Sequence, residues 1–337
     1  MPQHKVILFF RKPRESENFS IEGSFGMMRE AFPSESDFQL DQYTLSYMSN
    51  GIIPRLRAII EAGRHQGDIN HVTGDVHYLV FGLRKDRTVL TIHDCGFINN
   101  PSKIRRKFLK WLWLDLPARR CEYVTAVSEA TRRDIIRLSH CDPEKVVVIP
   151  TIISSFYTAA PRKFNAGCPR ILHIGLAPNK NFERHVEAIS GINCHLQIVG
   201  KLKSKHFEIL EKNGIDFSYA YDISQADMLS AYVESDIVLF ASTFEGFGMP
   251  IIEGQSVGRA VVTSNISSMP EVAGNGACLV DPYRVDSIRN GVLRIINDMQ
   301  YRTTLVDAGF ENIKRFSPET VALQYEDLYR KISEQSF

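Results

Sequence analysis

Short apolar runs alternate with helix-patterned stretches along almost the whole chain, and this alternation constrains the fold more than any other feature. Residues 5–10, 89–93, 123–127 and 146–149 read as strands in the first half. Residues 170–174, 195–199, 216–219, 236–240 and 260–263 read as strands in the second. Helical stretches such as 52–63 and 128–138 lie between them, with Ser128 placed to cap the latter. A parallel strand pair needs a long crossover, so strands spaced by helices predict parallel sheets in an α/β architecture. Helices dominate from 285 to 333, and no internal repeat or low-complexity tract is seen. The stretch 150–169 has no periodicity and holds Pro161, Gly167 and Pro169, which marks a linker. A chain of 337 residues is long for one core, so two α/β domains are expected.

Charge and cysteine usage exclude several functions. A net charge of +1 argues against a general nucleic-acid binder. No apolar run approaches the ~18 residues that span a bilayer. Residues 6–10 are followed by Arg11 and Lys12, which is wrong for a signal peptide. The six cysteines are scattered and form no Cys-x-x-Cys pair. Reduced thiols in the cytoplasm are therefore expected, and no zinc site.

The densest chemistry lies in Phe244-Glu245-Gly246-Phe247-Gly248-Met249-Pro250-Ile251-Ile252-Glu253, directly after a strand. Gly246 and Gly248 permit a tight turn and close approach of backbone to a ligand. Pro250 suits the opening of a helix, because the first helical position needs no donor. Glu253 is then expected in the first turn, near Glu245. A carboxylate that merely offsets a helix dipole accounts for one of these residues, not for both. Carboxylates suit sugar hydroxyls, and helix-end N–H groups suit phosphate oxygens. A nucleotide-sugar has both. Lys180, in the loop 175–181 after another strand, is a compact charge for a diphosphate. Thr91-Ile92-His93-Asp94 ends a strand of the first half, where catalytic groups of parallel sheets collect. The segment 20–26 reads as a glycine-containing loop after the first strand, with Gly23 and Ser24 able to meet phosphates.

Glu-x7-Glu after a strand, written here as Glu-Gly-Phe-Gly-Met-Pro and ending in Glu-Gly, resembles family 4 of the retaining glycosyltransferases. The resemblance is strongest over 170–282 and weaker over 89–150. It implies the GT-B fold: two Rossmann-like domains with parallel sheets facing a central cleft. Residues 1–155 would form the acceptor-side domain, 168–316 the nucleotide-sugar domain, and the helix 317–337 would pack back on the first. The resemblance assigns Glu253 to the ribose hydroxyls and Glu245 to the transferred sugar and reacting centre. It assigns backbone N–H groups of Phe247, Gly248 and Met249 to the sugar and distal phosphate, with Gly246 in the same loop. His93 would face donor sugar and acceptor. An Arg normally follows the glycine here numbered Gly175, but Leu176 stands in its place; Lys201 and Lys203 are candidate substitutes. Glu271 is expected at a helix start or behind the donor site, and the loop around Tyr219, Tyr221 and Asp222 beside the nucleotide base.

The function implied is retaining transfer of a sugar from a UDP- or GDP-linked donor to a hydroxyl of a glycan or lipid-linked glycan, in bacterial surface polysaccharide or O-antigen assembly. No Asp-x-Asp triplet occurs, so metal-independent catalysis without a cofactor is expected, Lys180 and helix-end donors doing the metal's electrostatic work. The segment 103–116 is basic and aromatic, with Lys103, Arg106, Lys107 and Lys110 on one helical face and Ile104, Phe108, Trp111 and Leu112 on another. It is a candidate contact with an anionic membrane, at the inner face of the cytoplasmic membrane. A nucleotide-sugar epimerase, a phosphorylase on a similar scaffold and a non-catalytic nucleotide-sugar-binding subunit are the competing readings. A dehydrogenase is weaker, since no Gly-x-Gly-x-x-Gly follows the first strand.

Overall fold

The computed structural model describes residues 4–12, 20–96 and 102–335. The chain forms two compact units, residues 1–154 with 316–337, and residues 155–315.

The first unit contains β1 (His4–Phe10), α1 (Ser20–Glu30), β2 (Phe38–Thr44), α2 (Ile52–Arg64), β3 (Ile69–Val72), β4 (Thr88–Ile92), α3 (Lys103–Lys110), α4 (Leu116–Arg120), β5 (Tyr123–Ala126), α5 (Glu129–Ser139) and β6 (Val146–Val148). Its sheet is parallel throughout, in the order β2-β1-β3-β4-β5-β6. The pleat splits the apolar run of β1 between two layers. Val6, Leu8 and Phe10 pack with Phe25 and Met28 of α1, while Ile7 and Phe9 pack with Ala58 and Ala62 of α2. Burial on both faces is why this strand reads as a continuous apolar run. Ser128 caps α5, its hydroxyl accepting from the Thr131 N–H.

Two expectations on local structure are corrected here. Residues 20–30 are helix, so Gly23 and Ser24 sit inside α1 and not in a loop. Glycine permits a loop without imposing one, and burying Phe25 and Met28 on one face outweighs its helix cost. Residues 103–116 are not one α-helix: α3 runs into a π-helical turn, Trp111–Asp115, before α4.

The second unit contains β7 (Arg170–Ile174), α6 (Phe182–Ile189), β8 (His195–Val199), α7 (Ser204–Lys212), β9 (Asp216–Ala220), α8 (Gln225–Glu234), β10 (Ile237–Phe240), α9 (Met249–Val257), β11 (Ala260–Ser264), α10 (Met269–Ala273), β12 (Cys278–Val280), α11 (Val285–Asn297) and α12 (Met299–Asn312). Its parallel sheet has the order β12-β11-β10-β7-β8-β9. Ile237 of β10 is in register with Ile171 of β7 on one side and Ala260 of β11 on the other. The chain runs outward from β7 to β9, then restarts at β10 on the other flank of β7. The reversal opens a crevice at the carboxyl ends of β7 and β10, where doubly wound sheets bind ligands. The last helix, α13 (Pro318–Gln335), belongs to the first unit; its Tyr325 and Tyr329 pack with Phe25, Met28 and Phe38. The architecture is that of a GT-B protein: two α/β units, each with a six-stranded parallel sheet.

Candidate functional site

The loops after β7 and β10 are cross-linked at the switch point. Gly175 ends β7 with φ of +83°, and a Cβ there would lie 3.2 Å from the Lys180 side chain. A bare backbone therefore lets the lysine stem fold across the strand end. Lys180 Nζ donates to Glu245 Oε1 at 2.8 Å and lies 4.6 Å from the centre of the Phe240 ring. Asn179 Nδ2 donates to the Phe244 carbonyl at 2.9 Å and to Glu245 Oε1 at 3.2 Å. The Thr243 N–H returns a bond to the Asn179 carbonyl at 2.8 Å. The ion pair is mostly shielded, with side chains 21% and 13% exposed.

A second set of bonds holds the loop from behind. Ser267 Oγ donates to the Glu245 carbonyl at 2.7 Å, and Ser268 Oγ to the Phe247 carbonyl at 2.8 Å. Gly248 then takes the left-handed region, φ +111°, as the N-cap of α9, with Met249 and Pro250 opening the helix. Placing Gly246, Phe247, Gly248 and Met249 at a helix start brings backbone dipoles to the same spot as the Lys180 ammonium.

Glu253 is the fifth residue of α9, one position beyond the first turn expected for it. Tyr232 of α8 donates its hydroxyl to Glu253 Oε2 at 2.5 Å, and the Tyr157 hydroxyl bonds the same carboxylate. Burial pushes the Glu253 carboxyl up to about 7, against the opposing pull of both phenols and Lys180. Both tyrosine hydroxyls are raised, by burial first and by the carboxylate second. Neither tyrosine stands out in the sequence: Tyr157 falls in the aperiodic stretch, and Tyr232 reads as an ordinary core position of a helix.

The structure thus joins Lys180 to Glu245 and sets Gly246–Met249 and Glu253 along the same loop and helix. Leu176 packs against Gly200, where a Cβ would lie 3.0 Å from its side chain, so the position expected to hold an Arg is an apolar contact. Lys201 is exposed and stands 5.3 Å from the Tyr221 ring centre, and Lys203 is exposed before α7. Tyr219 and Tyr221 are both 46% exposed, at the end of β9 and just beyond it. Glu271 lies in the first turn of α10.

His93 and Gly23 lie in the first unit. His93 follows β4, and its Nε2 bonds the Thr73 carbonyl at 2.8 Å. A carbonyl only accepts, so Nε2 carries the proton and Nδ1 is a bare acceptor. Burial lowers the His93 pKa and keeps the ring neutral. A Cβ on Gly74 would come within 2.6 Å of that ring.

Two family models match the chain: "Glycosyltransferase Family 4" over residues 3–155 and "Glycosyl transferases group 1" over 161–312. The O-antigen chain mannosyltransferase B of Escherichia coli is 26% identical over 274 residues, 73% of this chain and 71% of that protein. The serotype-specific mannosyltransferase WbdA of Escherichia coli is 23% identical over 59% of this chain, which spans only 27% of WbdA. Among solved structures, HepE of Anabaena in complex with UDP and glucose superposes with a TM-score of 0.76 at 15% identity, covering 98% of this chain and 100% of that one. Two adjoining family matches, borne by two parallel-sheet units, show that the chain is a glycosyltransferase belonging to family 4, group 1.

Proposed function

We propose that the enzyme transfers a hexose, mannose first among the candidates, from a UDP- or GDP-linked donor to a hydroxyl of a glycan or lipid-linked glycan, with retention of configuration. The observation that carries this reading is the Lys180–Glu245 pair at the β7/β10 switch point, beside the start of α9. Lys180 neutralises the diphosphate, and the N–H groups at the start of α9 stabilise charge as it leaves. The loop glycines Gly246 and Gly248 let the donor sugar approach the backbone. Glu253, oriented by Tyr157 and Tyr232, receives the ribose hydroxyls. Glu245 meets the transferred sugar and the reacting centre, held there by Lys180 and Asn179. His93 serves the acceptor side of the first unit. The Lys180 charge stands in for a divalent ion, so turnover is independent of added metal. Similarity to a relative named as an O-antigen chain mannosyltransferase supports a product in a bacterial surface polysaccharide. We place the protein in the cytoplasm, with α3 resting on the inner face of the membrane; among the described residues no helix is long and apolar enough to cross one.

A ligand that binds only the folded state raises its melting temperature. UDP or GDP is expected to raise it clearly, and Lys180→Ala to remove most of that rise while leaving the unliganded melt within a few degrees. No response to either nucleotide in the unsubstituted protein contradicts the reading.

A further inference from the structure

A cavity of about 370 Å³ lies wholly within the second unit, at the amino ends of β10 and β11. Asp236 directly precedes β10 and Arg259 directly precedes β11. The cavity is therefore on the opposite edge of the parallel sheet from the Lys180–Glu245 pair, and shares no lining residue with it. Its other walls are residues 162–164, which lead toward β7, and the first turns of α12.

The charges of the lining do not balance. Arg162, Lys163, Arg259 and Arg302 all line it, against the single carboxylate of Asp236. That carboxylate is already committed, its side chain only 1% exposed. Its Oδ1 accepts from Arg162 Nε at 3.4 Å and from the Asn165 N–H at 3.2 Å, and its Oδ2 from the Arg170 N–H at 2.9 Å. Asp298, the N-cap of α12, is the other acid acting on Arg302 and lies outside the lining. Arg259 is buried, and its bonds go to the carbonyls of Tyr232, Val233, Gly258 and Ala160. Carbonyls satisfy its donors without neutralising its charge, whereas buried charges are ordinarily paired. Burial first, and then the neighbouring Arg162 charge, lower the Arg259 pKa against the opposing pull of Asp236.

The other three cations keep open donors. Arg302 Nη1 donates to the Ile295 and Ile296 carbonyls at the end of α11, at 2.5 and 3.3 Å. Its guanidinium carbon stands 3.8 Å from the Phe164 ring centre, which fixes the group over the ring. Among the described residues its Nε and Nη2 have no protein acceptor, nor have the two Nη groups of Arg162. Lys163 is exposed and engages no acceptor among them either. A recess with excess positive charge and open guanidinium and ammonium donors takes an anion. Phosphate suits it best, because it offers several oxygens to the guanidinium fork at once. The volume falls within the range of small-molecule sites, which leaves room for more than a lone phosphate. The net charge of +1 and the confinement of these cations to one recess argue against a nucleic-acid strand, which follows an extended basic stripe.

We propose that this pocket is a second ligand site, for a free diphosphate-bearing small molecule held by Arg162, Lys163 and Arg302. The inference goes beyond the transferase reading and does not rest on it.

The probe is inorganic pyrophosphate, titrated calorimetrically into the full chain at about 0.15 M salt, where exposed charges are well screened. The titration is run in Lys180→Ala, because a diphosphate also suits the donor site. Pyrophosphate is expected to bind this chain. Adding Lys163→Gln should weaken binding about tenfold, the worth of one charge-assisted hydrogen bond. Adding Arg302→Gln as well should abolish it. Lys163 is exposed, so its variant should melt with its parent and remain informative even where the Arg302 variant fails to fold. Malonate, with carboxylates in place of phosphates, should bind at least tenfold more weakly than pyrophosphate. Absence of pyrophosphate binding in Lys180→Ala overturns the site, as does binding that Lys163→Gln leaves unchanged; malonate binding as tight as pyrophosphate overturns the phosphate assignment. The UDP or GDP melting shift of the unsubstituted chain depends on Lys180 and should be the same in Lys163→Gln, so failure of the donor-site reading and failure of this pocket are told apart.

Discussion

Glu253 shows how one side chain ties stability to pH. Its carboxyl is held by two phenols in a buried place, and burial outweighs their donation, so the folded-state pKa rises from 4.5 to about 7. Below about pH 4.5 both folded and unfolded chains hold the proton, and the full stability is present. Between there and pH 7 the unfolded chain ionises first, so stability falls as pH rises and stays low above 7. A shift of that size is worth on the order of 3 kcal/mol. Glu253→Gln removes the titration, and Gln still accepts a hydrogen bond. The variant should therefore match the parent near pH 4 and exceed its stability at pH 8 by up to about 3 kcal/mol in urea unfolding. Parallel stability curves across that window would show that the carboxyl is not held as described. The same variant should bind UDP or GDP more weakly, since a neutral amide is a poorer acceptor for ribose hydroxyls.

At the scale of elements, α3 and the π-helical turn serve two surfaces. One side of the turn, through Trp113 and Leu114, walls a cavity of the first unit that His77 and His93 also line. The other side leaves Ile104, Phe108 and Trp111 open to solvent, 84%, 57% and 52% exposed. Lys103 and Lys107 flank them, whereas Lys110 is taken up by Asp115 at 2.8 Å. The apolar face offered by the sequence as a candidate membrane contact is thus open to solvent at Ile104, Phe108 and Trp111. The neighbouring α2 adds exposed Ile52, Ile53, Leu56 and Ile60, and its Arg55 lies 4.7 Å from the Trp113 ring centre. Apolar side chains ringed by lysines are complementary to an anionic interface. The enzyme should sediment with phosphatidylglycerol vesicles at low salt and be released as salt rises. The double variant I104E/F108E should bind them at least tenfold more weakly, with no change in melting temperature because both side chains are exposed. Equal sedimentation of parent and variant would exclude this surface.

Across the whole molecule, the parallel α/β plan was readable because strands such as Arg170–Ile174 and His195–Val199 are compact apolar runs set between helices. Strands outside that pattern were not. β2 is a polar edge strand carrying Gln39, Asp41 and Gln42. β3 buries Asn70 and His71, the latter satisfied by Tyr329 from far along the chain and by Thr91. A buried polar strand is made stable by partners that no local pattern announces. The site divides in the same way. Glu245, Glu253 and Lys180 show themselves by spacing and by neighbouring glycines. Tyr157 and Tyr232 take their places only through tertiary bonds, and the π-helical turn has no signature of its own. We propose that the chemistry occurs at the Lys180–Glu245 pair. Its most direct test is the release of nucleoside diphosphate from UDP- and GDP-hexoses by the parent and by Glu245→Gln, with nucleotide affinity measured alongside. In Glu245→Gln, kcat should fall about a hundredfold or more while nucleotide affinity stays within about threefold. Unchanged turnover, or affinity lost in step with turnover, would contradict it.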